Sequence, residues 1–197
     1  MIEKVKSLSF HPLRDFHEID KLICGIGVMD EFLHSSRLRE SLIANHCDPY
    51  IVEDDEKHVV AFFALDMTTL ELDDDYKSDL MEGWAEAAKP EFQTEEELTE
   101  FLECSSFDVV DIAYLAVDRN FQRQGYGSEI MSIIFDLARI KKSDGIFLTV
   151  DALHLPKNNY SAVPFYERFG FERMLPPTID TMRMFCTIYP HLEIGKY

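Results

Sequence analysis

The stretch that most constrains the fold is "DVVDIAYLAVDRNFQRQGYGSEIM", residues 108–131, which leads through "SIIFDLARI" to "GIFLTVDAL". An apolar run rich in β-branched residues predicts a strand, and two closely spaced glycines after it predict a tight turn. Ile130, Ile133, Ile134, Leu137 and Ile140 then recur at helical spacing, and the second apolar run predicts another buried strand. Strand, glycine turn, helix and strand form a βαβ unit, so the chain is predicted to be α/β, with helices packed on a sheet.

Other segments build around that unit. Apolar positions at Met29, Phe32, Leu33, Leu38, Leu42 and Ile43 predict one helix from about Val28 to Ala44, with Gly25 and Gly27 ahead of it. "PYIVED" and "HVVAFFALDM", joined by the acidic turn "DDEK", predict an antiparallel hairpin with a buried second strand. Residues 69–108 lose the apolar signal, gain helix formers and are interrupted by Pro90. They predict a helical insertion, either a solvated acidic cover or an element that recognises substrate. A short helix near 159–168 and the strands "GFERML" and "TMRMFCTIY" complete a mixed sheet, and the last strand is a candidate edge for a homodimer. At 197 residues without an internal repeat, the expectation is a single domain over 1–197 carrying an insertion at about 69–108.

The formal charge of −18 is local. Residues 53–108 hold 19 acidic against 3 basic side chains, a net of −16, whereas the flanking segments are close to balanced. Such a segment repels nucleic acid and attracts a cationic amine. The longest apolar runs fall short of the roughly 18 residues of a membrane span, and the first residues carry scattered charges, so a soluble cytoplasmic protein with no membrane partner is expected. Cys24, Cys47, Cys104 and Cys186 are far apart and lack ligand spacing, so neither a metal site nor a disulfide framework is predicted. Cys24, His46, His58 and His154 offer no Cys–His pair that sequence can locate, and no covalent nucleophile is assigned.

Glycines at a strand-to-helix junction allow positive φ and close approach of a ligand, while the first N–H groups of the helix have no intrahelical acceptor. A turn of this kind suits phosphate; a purely structural tight turn is the alternative. A dinucleotide fingerprint would need a third glycine where Ile130 stands, and a P-loop would need Gly-Lys-Ser or Gly-Lys-Thr.

"QRQGYG", Gln122 to Gly127, resembles the Q/R-x-x-G-x-G/A pyrophosphate loop of the GCN5-related N-acetyltransferase (GNAT) family. "NYSAVPFYERFGF" resembles the family's second motif through Asn159, Ala162, Phe165, Tyr166 and Phe169-Gly170-Phe171, with one strand between the motifs. Together with "LICGIGVMDEFL", these stretches are similar to the subgroup that includes toxin components of toxin–antitoxin pairs, which acetylate the amino group of aminoacyl-tRNA. Residues 69–108 depart from that subgroup by being longer and more acidic.

The resemblance implies the GNAT fold, a mixed and mostly antiparallel sheet flanked by helices, with acetyl-coenzyme A as cofactor. It implies a pyrophosphate on the backbone of Gln124, Gly125, Tyr126, Gly127 and Ser128, in a loop opened by Gln122, with Arg123 balancing charge and both glycines at positive φ. The backbone of Leu115, Ala116 and Val117 would pair with the pantetheine arm as if it were an added strand, and one N–H there would stabilise the thioester oxygen. Tyr166 would protonate the departing thiolate; the alternative is an aromatic packed between Phe165 and Phe169. Asn159 would bond a pantetheine amide or cap a helix. Asp111 would be a catalytic carboxylate that takes the amine proton, or else an exposed aspartate at a strand edge, and an α-amine of pKa about 8 needs no dedicated base. The expected function is acetyl transfer to a primary amine, small-molecule or peptidyl, by direct attack. The alternatives are acetylation of aminoacyl-tRNA and a non-catalytic module that binds acyl-coenzyme A.

Overall fold

The computed structural model describes residues 7–82, 92, 94–141, 147–174 and 178–188. The chain forms two compact units, Met1–Asp66 with Ile112–Asp136 and Met67–Asp111 with Leu137–Tyr197. The predicted break at Pro90 lies outside the described residues, as do Gly145, Ile146, Leu175 and Tyr189 of the predicted strands. No helix of the described residues is long and apolar enough to cross a membrane.

In the first unit, β1 (Ser9–Pro12) pairs antiparallel with β2 (Asp48–Glu53), and β2 pairs antiparallel with β3 (Val59–Glu71). The predicted hairpin is present. Its turn is closed by Asp54, whose Oδ1 accepts from the Glu56 and His58 N–H groups, each at 2.9 Å. Val60 to Leu65 are buried without a break, so both faces of β3 are covered there. β4 (Ser106–Val117) neighbours β3, and just past its end the Asp118 N–H donates to Val60 O at 2.8 Å.

The single helix expected over 28–44 is two helices, α1 (Gly27–Leu33) and α2 (Ser36–Ala44). Two polar side chains break it by capturing carbonyls at the end of α1. His34 Nδ1 lies 2.8 Å from Asp30 O, and Ser35 Oγ donates to Phe32 O at 2.8 Å while Ser35 takes an extended backbone. Leu33, Leu38 and Leu42 still face one core, against Ile51, Phe62, Ala64 and Ala116.

In the second unit, β5 (Phe147–Leu155) pairs antiparallel with β8 (Thr181–Thr187), and the two-residue β6 (Tyr160–Ser161) folds back on its end. β7 (Glu172–Arg173) pairs with β8 at Phe185 and Met184, and the Met174 N–H reaches Arg183 O at 2.8 Å. The last strand is therefore covered on both sides over part of its length, unlike the open edge expected of it. α6 (Val163–Glu167) is shorter than predicted because β6 occupies the residues just before it.

The insertion expected over 69–108 is helical only in its middle, in α3 (Asp74–Glu82) and α4 (Glu95–Glu103). At its start, buried Leu70 and Leu72 alternate with exposed Thr69 and Glu71, a period of two that keeps β3 extended. The acidic segment is anchored as well as solvated. Phe101 is buried in a core with Leu70, Leu72, Val109, Phe147 and Phe185. Lys77 is also buried, and its Nζ binds Asp74 at 2.8 Å and Leu102 O at 2.8 Å, tying α3 to the end of α4. The long helix α5 (Tyr126–Lys141) follows the glycine turn; Ile130, Ile134 and Ala138 are fully buried, whereas Ile140 is 78% exposed, contrary to expectation.

Candidate active site

In the first unit, the loop between β4 and α5 starts at Asp118, which is buried and fully used. Its Oδ1 accepts from the Asn120 N–H at 2.9 Å and its Oδ2 from the Ile23 N–H at 3.0 Å. The Arg119 N–H returns a bond to Ile23 O at 2.8 Å. Gln122 Nε2 bridges Cys24 O at 2.8 Å and Val117 O at 2.9 Å. Asp30, from α1, accepts from the Cys24 and Gly25 N–H groups at 2.7 and 3.0 Å. The loop thus rests on a second loop, 23–26, that is itself held down.

Within that frame Arg123 and Gly125 take left-handed backbone, with φ of 60° and 90°. Alternation of this kind turns successive N–H groups toward one side and makes a concavity for an anion. A Cβ built on Gly125 meets nothing within 4 Å, so glycine is required there by backbone angle, and the space it leaves is open. Two expectations are corrected here. Gly127 is the second residue of α5 and is not at positive φ. The Ser128 N–H is already given to Gly125 O at 3.0 Å, which removes it from the set of free donors. Tyr126 is buried edge-on against Phe121, so its side chain faces the interior. Arg123 and Gln124 are exposed, and the Gln124 amide bonds Asn120 O at 2.6 Å.

Leu115, Ala116 and Val117 end β4 in the same unit, where Ala116 is buried and its neighbours half-buried. Cys24 is buried beside the loop; burial, and next the Asp30 hydrogen bond, push its thiol up to about 12. It stays a thiol at neutral pH, which suits the absence of any covalent role assigned to it. None of the four cysteines is in a disulfide.

The second unit holds a different arrangement. Tyr166, on α6, is 5% exposed, and its ring packs edge-on against Phe165 and Phe171 at 5.1 and 5.4 Å. Its hydroxyl has no hydrogen-bond partner among the described residues. Burial, followed by the fields of Tyr160 and Asp111, raises its pKa well above the ordinary phenol value. The phenol therefore stays protonated at neutral pH and has an O–H to offer as a hydrogen-bond donor.

Asp111 is not the exposed strand-edge residue that sequence allowed. It is 9% exposed, with Oδ1 accepting from Thr149 Oγ1 at 2.5 Å and from Arg183 Nη1 at 2.7 Å. Burial raises its pKa, opposed by the Arg183 charge and the Thr149 bond. Asn159 is exposed and left-handed, with φ of 51°, and closes a 3₁₀ turn over Pro156–Asn158. It does not cap α6, whose first N–H at Val163 is served by Ser161 Oγ at 3.2 Å.

The predicted residues thus fall into two groups, Leu115 to Val117 with the glycine loop in the first unit and Asp111, Asn159 and Tyr166 in the second. Asp30, Asp118, Thr149 and Arg183 were not found by sequence reasoning. Asp118 carried a signal, since Asp two residues before Asn at the end of a strand forms an Asx turn. Thr149 and Arg183 carried none, being 38 and 72 residues from the carboxylate they hold.

The profile of the acetyltransferase (GNAT) domain matches residues 45–173. Among solved structures, a mutant of KacT shares the fold with a TM-score of 0.63 at 16% identity, over 92% of this chain and 95% of that one. AtaTR bound with AcCoA gives 0.62 at 18% identity, over 92% and 94%. AtaT complexed with acetyl-methionyl-tRNAfMet gives 0.57 at 17% identity, over 90% and 94%. At these identities the likeness is one of fold. No curated protein matches the chain in sequence.

Proposed function

Because the chain belongs to the acetyltransferase (GNAT) domain family, we propose that it moves an acetyl group from acetyl-coenzyme A to a primary amine, which attacks directly. Acetyl-coenzyme A supplies the acetyl group already activated as a thioester. The residues present fit that molecule. The N–H groups around Gly125 and at the start of α5 receive the pyrophosphate, in the space that the missing Cβ leaves open. Gln122 supports the loop through its two carbonyl bonds, and Arg123 lends charge from solvent. The edge of β4 from Leu115 to Val117 accepts the pantetheine arm as a further strand, and the exposed Asn159 side chain bonds one of its amides.

The observation that carries the catalytic reading is the buried Tyr166 hydroxyl, which has no hydrogen-bond partner among the described residues and whose pKa is raised by burial. A native structure rarely buries a hydroxyl without using it, because leaving one unpaired costs about 1–3 kcal/mol. Donation to the departing sulfur gives the group its use. Asp111 takes the proton from the amine. In this reading the whole chain, 1–197, works as one soluble cytoplasmic domain.

A thiol-release assay with acetyl-coenzyme A across polyamines, amino acids, peptides and charged tRNA tests the proposal. Release with at least one amine, abolished in Tyr166→Phe, supports it. Binding of coenzyme A without transfer to any of them would leave a non-catalytic binding module instead. The acidic segment, net −16 over residues 53–108, favours a cationic acceptor, for which kcat/KM falls as salt rises.

A second reading, toxin-type acetylation of aminoacyl-tRNA, is favoured by the fold shared with AtaT complexed with acetyl-methionyl-tRNAfMet. The same panel separates the two: turnover confined to charged tRNA, with growth arrest on expression that Tyr166→Phe relieves, selects the second. Light scattering on the same preparation reads out the proposed homodimer.

A further inference from the structure

The carboxylate of Asp111 is held in an asymmetric way. An arginine that only neutralises a buried carboxylate usually presents its fork to both oxygens at once. Here the fork is split. Nη1 of Arg183, on β8, goes to Asp111 Oδ1 at 2.7 Å, and Nη2 goes to Thr149 Oγ1 at 3.1 Å. Thr149, fully buried on β5, donates its hydroxyl hydrogen bond to the same Oδ1. Oδ1 therefore receives two hydrogen bonds, while Oδ2 receives none from the described residues.

We propose that Arg183 and Thr149 are positioning residues that clamp Asp111 by Oδ1 and thereby keep Oδ2 open to take a proton from the substrate ammonium. The inference rests on the acetyltransferase reading above and deepens it. In the step, one N–H bond of the ammonium breaks, its electron pair stays on nitrogen as the attacking lone pair, and an O–H bond forms at Oδ2.

The groups facing Asp111 set its strength as a base in opposite directions. Burial, and after it the Asp151 charge on β5, favour the protonated form, whereas the Arg183 charge and the Thr149 bond favour the ionised form. Asp151 is also shared with Arg183, at 3.5 Å from Nη1, but its side chain is 55% exposed and screened by water. Tyr166, on α6, senses the Asp111 charge and holds its proton more tightly for it. The clamp thus bears on both ends of proton traffic: a carboxylate left open on one oxygen, and a phenol whose pKa is raised.

Carbon-13 NMR of the Asp side-chain carboxyls reads this in the full chain without any substrate, with the Asp111 signal assigned by its loss in Asp111→Asn. The wild-type midpoint lies above the ordinary aspartate value. Arg183→Gln moves it further up by about one pH unit or more, since an opposing charge is removed; Thr149→Val, nearly isosteric and so safe for folding, moves it up by less. Arg183→Lys falls between wild type and Arg183→Gln. With the amine that turns over in the thiol-release panel, the acid limb of kcat/KM shifts up in the same order, and calorimetric affinity for coenzyme A stays within about twofold.

An Asp111 midpoint that neither Arg183→Gln nor Thr149→Val moves overturns the clamp. A midpoint that moves while the acid limb stays put overturns the proton transfer at Oδ2 and leaves the acetyltransferase reading intact. A wild-type chain that takes up no coenzyme A sinks that reading, and the proton-transfer role falls with it.

Discussion

In the first unit the candidate site is built from main chain. The loop from Gln122 to Gly127 lies on the surface, its one buried residue is Tyr126, and what it offers a ligand is N–H groups and the gap at Gly125. In the second unit the site is built from buried side chains, Tyr166, Asp111, Thr149 and Arg183, each defined by what touches it. A main-chain site depends on local backbone angles and tolerates most changes of side chain. A side-chain site depends on contacts brought together from distant parts of the sequence, and one substitution there changes the chemistry of its neighbours.

The largest effect that could break this comparison is expected at Gly125. Gly125→Val places a β-branched residue at φ of 90° and fills the open space beside it. The strain alone costs about 1–3 kcal/mol, and with the anion displaced the affinity for coenzyme A should fall at least about 100-fold in titration calorimetry. Arg123→Ala, by contrast, should cost less than about fivefold, since an exposed arginine contributes a screened charge. If the two variants bind alike, the main-chain account of the first unit is wrong.

Next is Tyr166→Phe, which isolates one hydroxyl in the second unit. Loss of a general acid should lower kcat by about 100-fold or more, with coenzyme A affinity nearly unchanged. The same change should leave thermal stability equal or higher, because the removed hydroxyl has no partner to lose among the described residues and its burial costs about 1–3 kcal/mol. A drop in both activity and melting temperature would make Tyr166 a packing residue.

The two modes also explain what could be read before the structure. The βαβ unit, the hairpin and Gly125 were legible because their determinants are contiguous: apolar runs, a turn composition, a glycine whose angle is local. The break at His34–Ser35 was not, since it depends on two side chains capturing carbonyls within a pattern that remains amphipathic across the break. The resemblance drew attention to Asp111 and Tyr166, but their environments were misjudged or left open. Burial of Asp111 follows from the sheet around it, and its partners on β5 and β8 are distant in sequence. The acidic segment misled in a similar way: alternation in β3 was masked by charge, and buried Lys77 looked like any surface lysine.

A subtler effect in the second unit is thermodynamic. The folded-state pKa of Asp111 is raised, so the native chain binds its proton more readily than the unfolded chain does. Its contribution to stability is therefore most favourable below the ordinary value of 3.8 and is lost as pH rises through the folded pKa. Urea unfolding at a series of pH values should show the stability of wild type, taken relative to Asp111→Asn, falling over that window. A difference between wild type and Asp111→Asn that rises with pH instead would mean that the Arg183 charge outweighs burial.

The smallest effect separates two glycines that have one residue between them. Gly127 belongs to the first turn of α5 with ordinary helical backbone, so a methyl group there removes flexibility from the unfolded chain without forcing an angle. Gly127→Ala should raise stability by at most about 1 kcal/mol, whereas Gly125→Ala should lower it, the left-handed angle being strained for any side chain. Thermal melts of the two single variants read the signs directly, and calorimetry on the same samples asks whether affinity follows them. Affinity lost equally in both would mean that the ligand lies against the first turn of the helix as closely as against the loop. Loss confined to Gly125→Ala would narrow the main-chain site to the left-handed pair at Arg123 and Gly125.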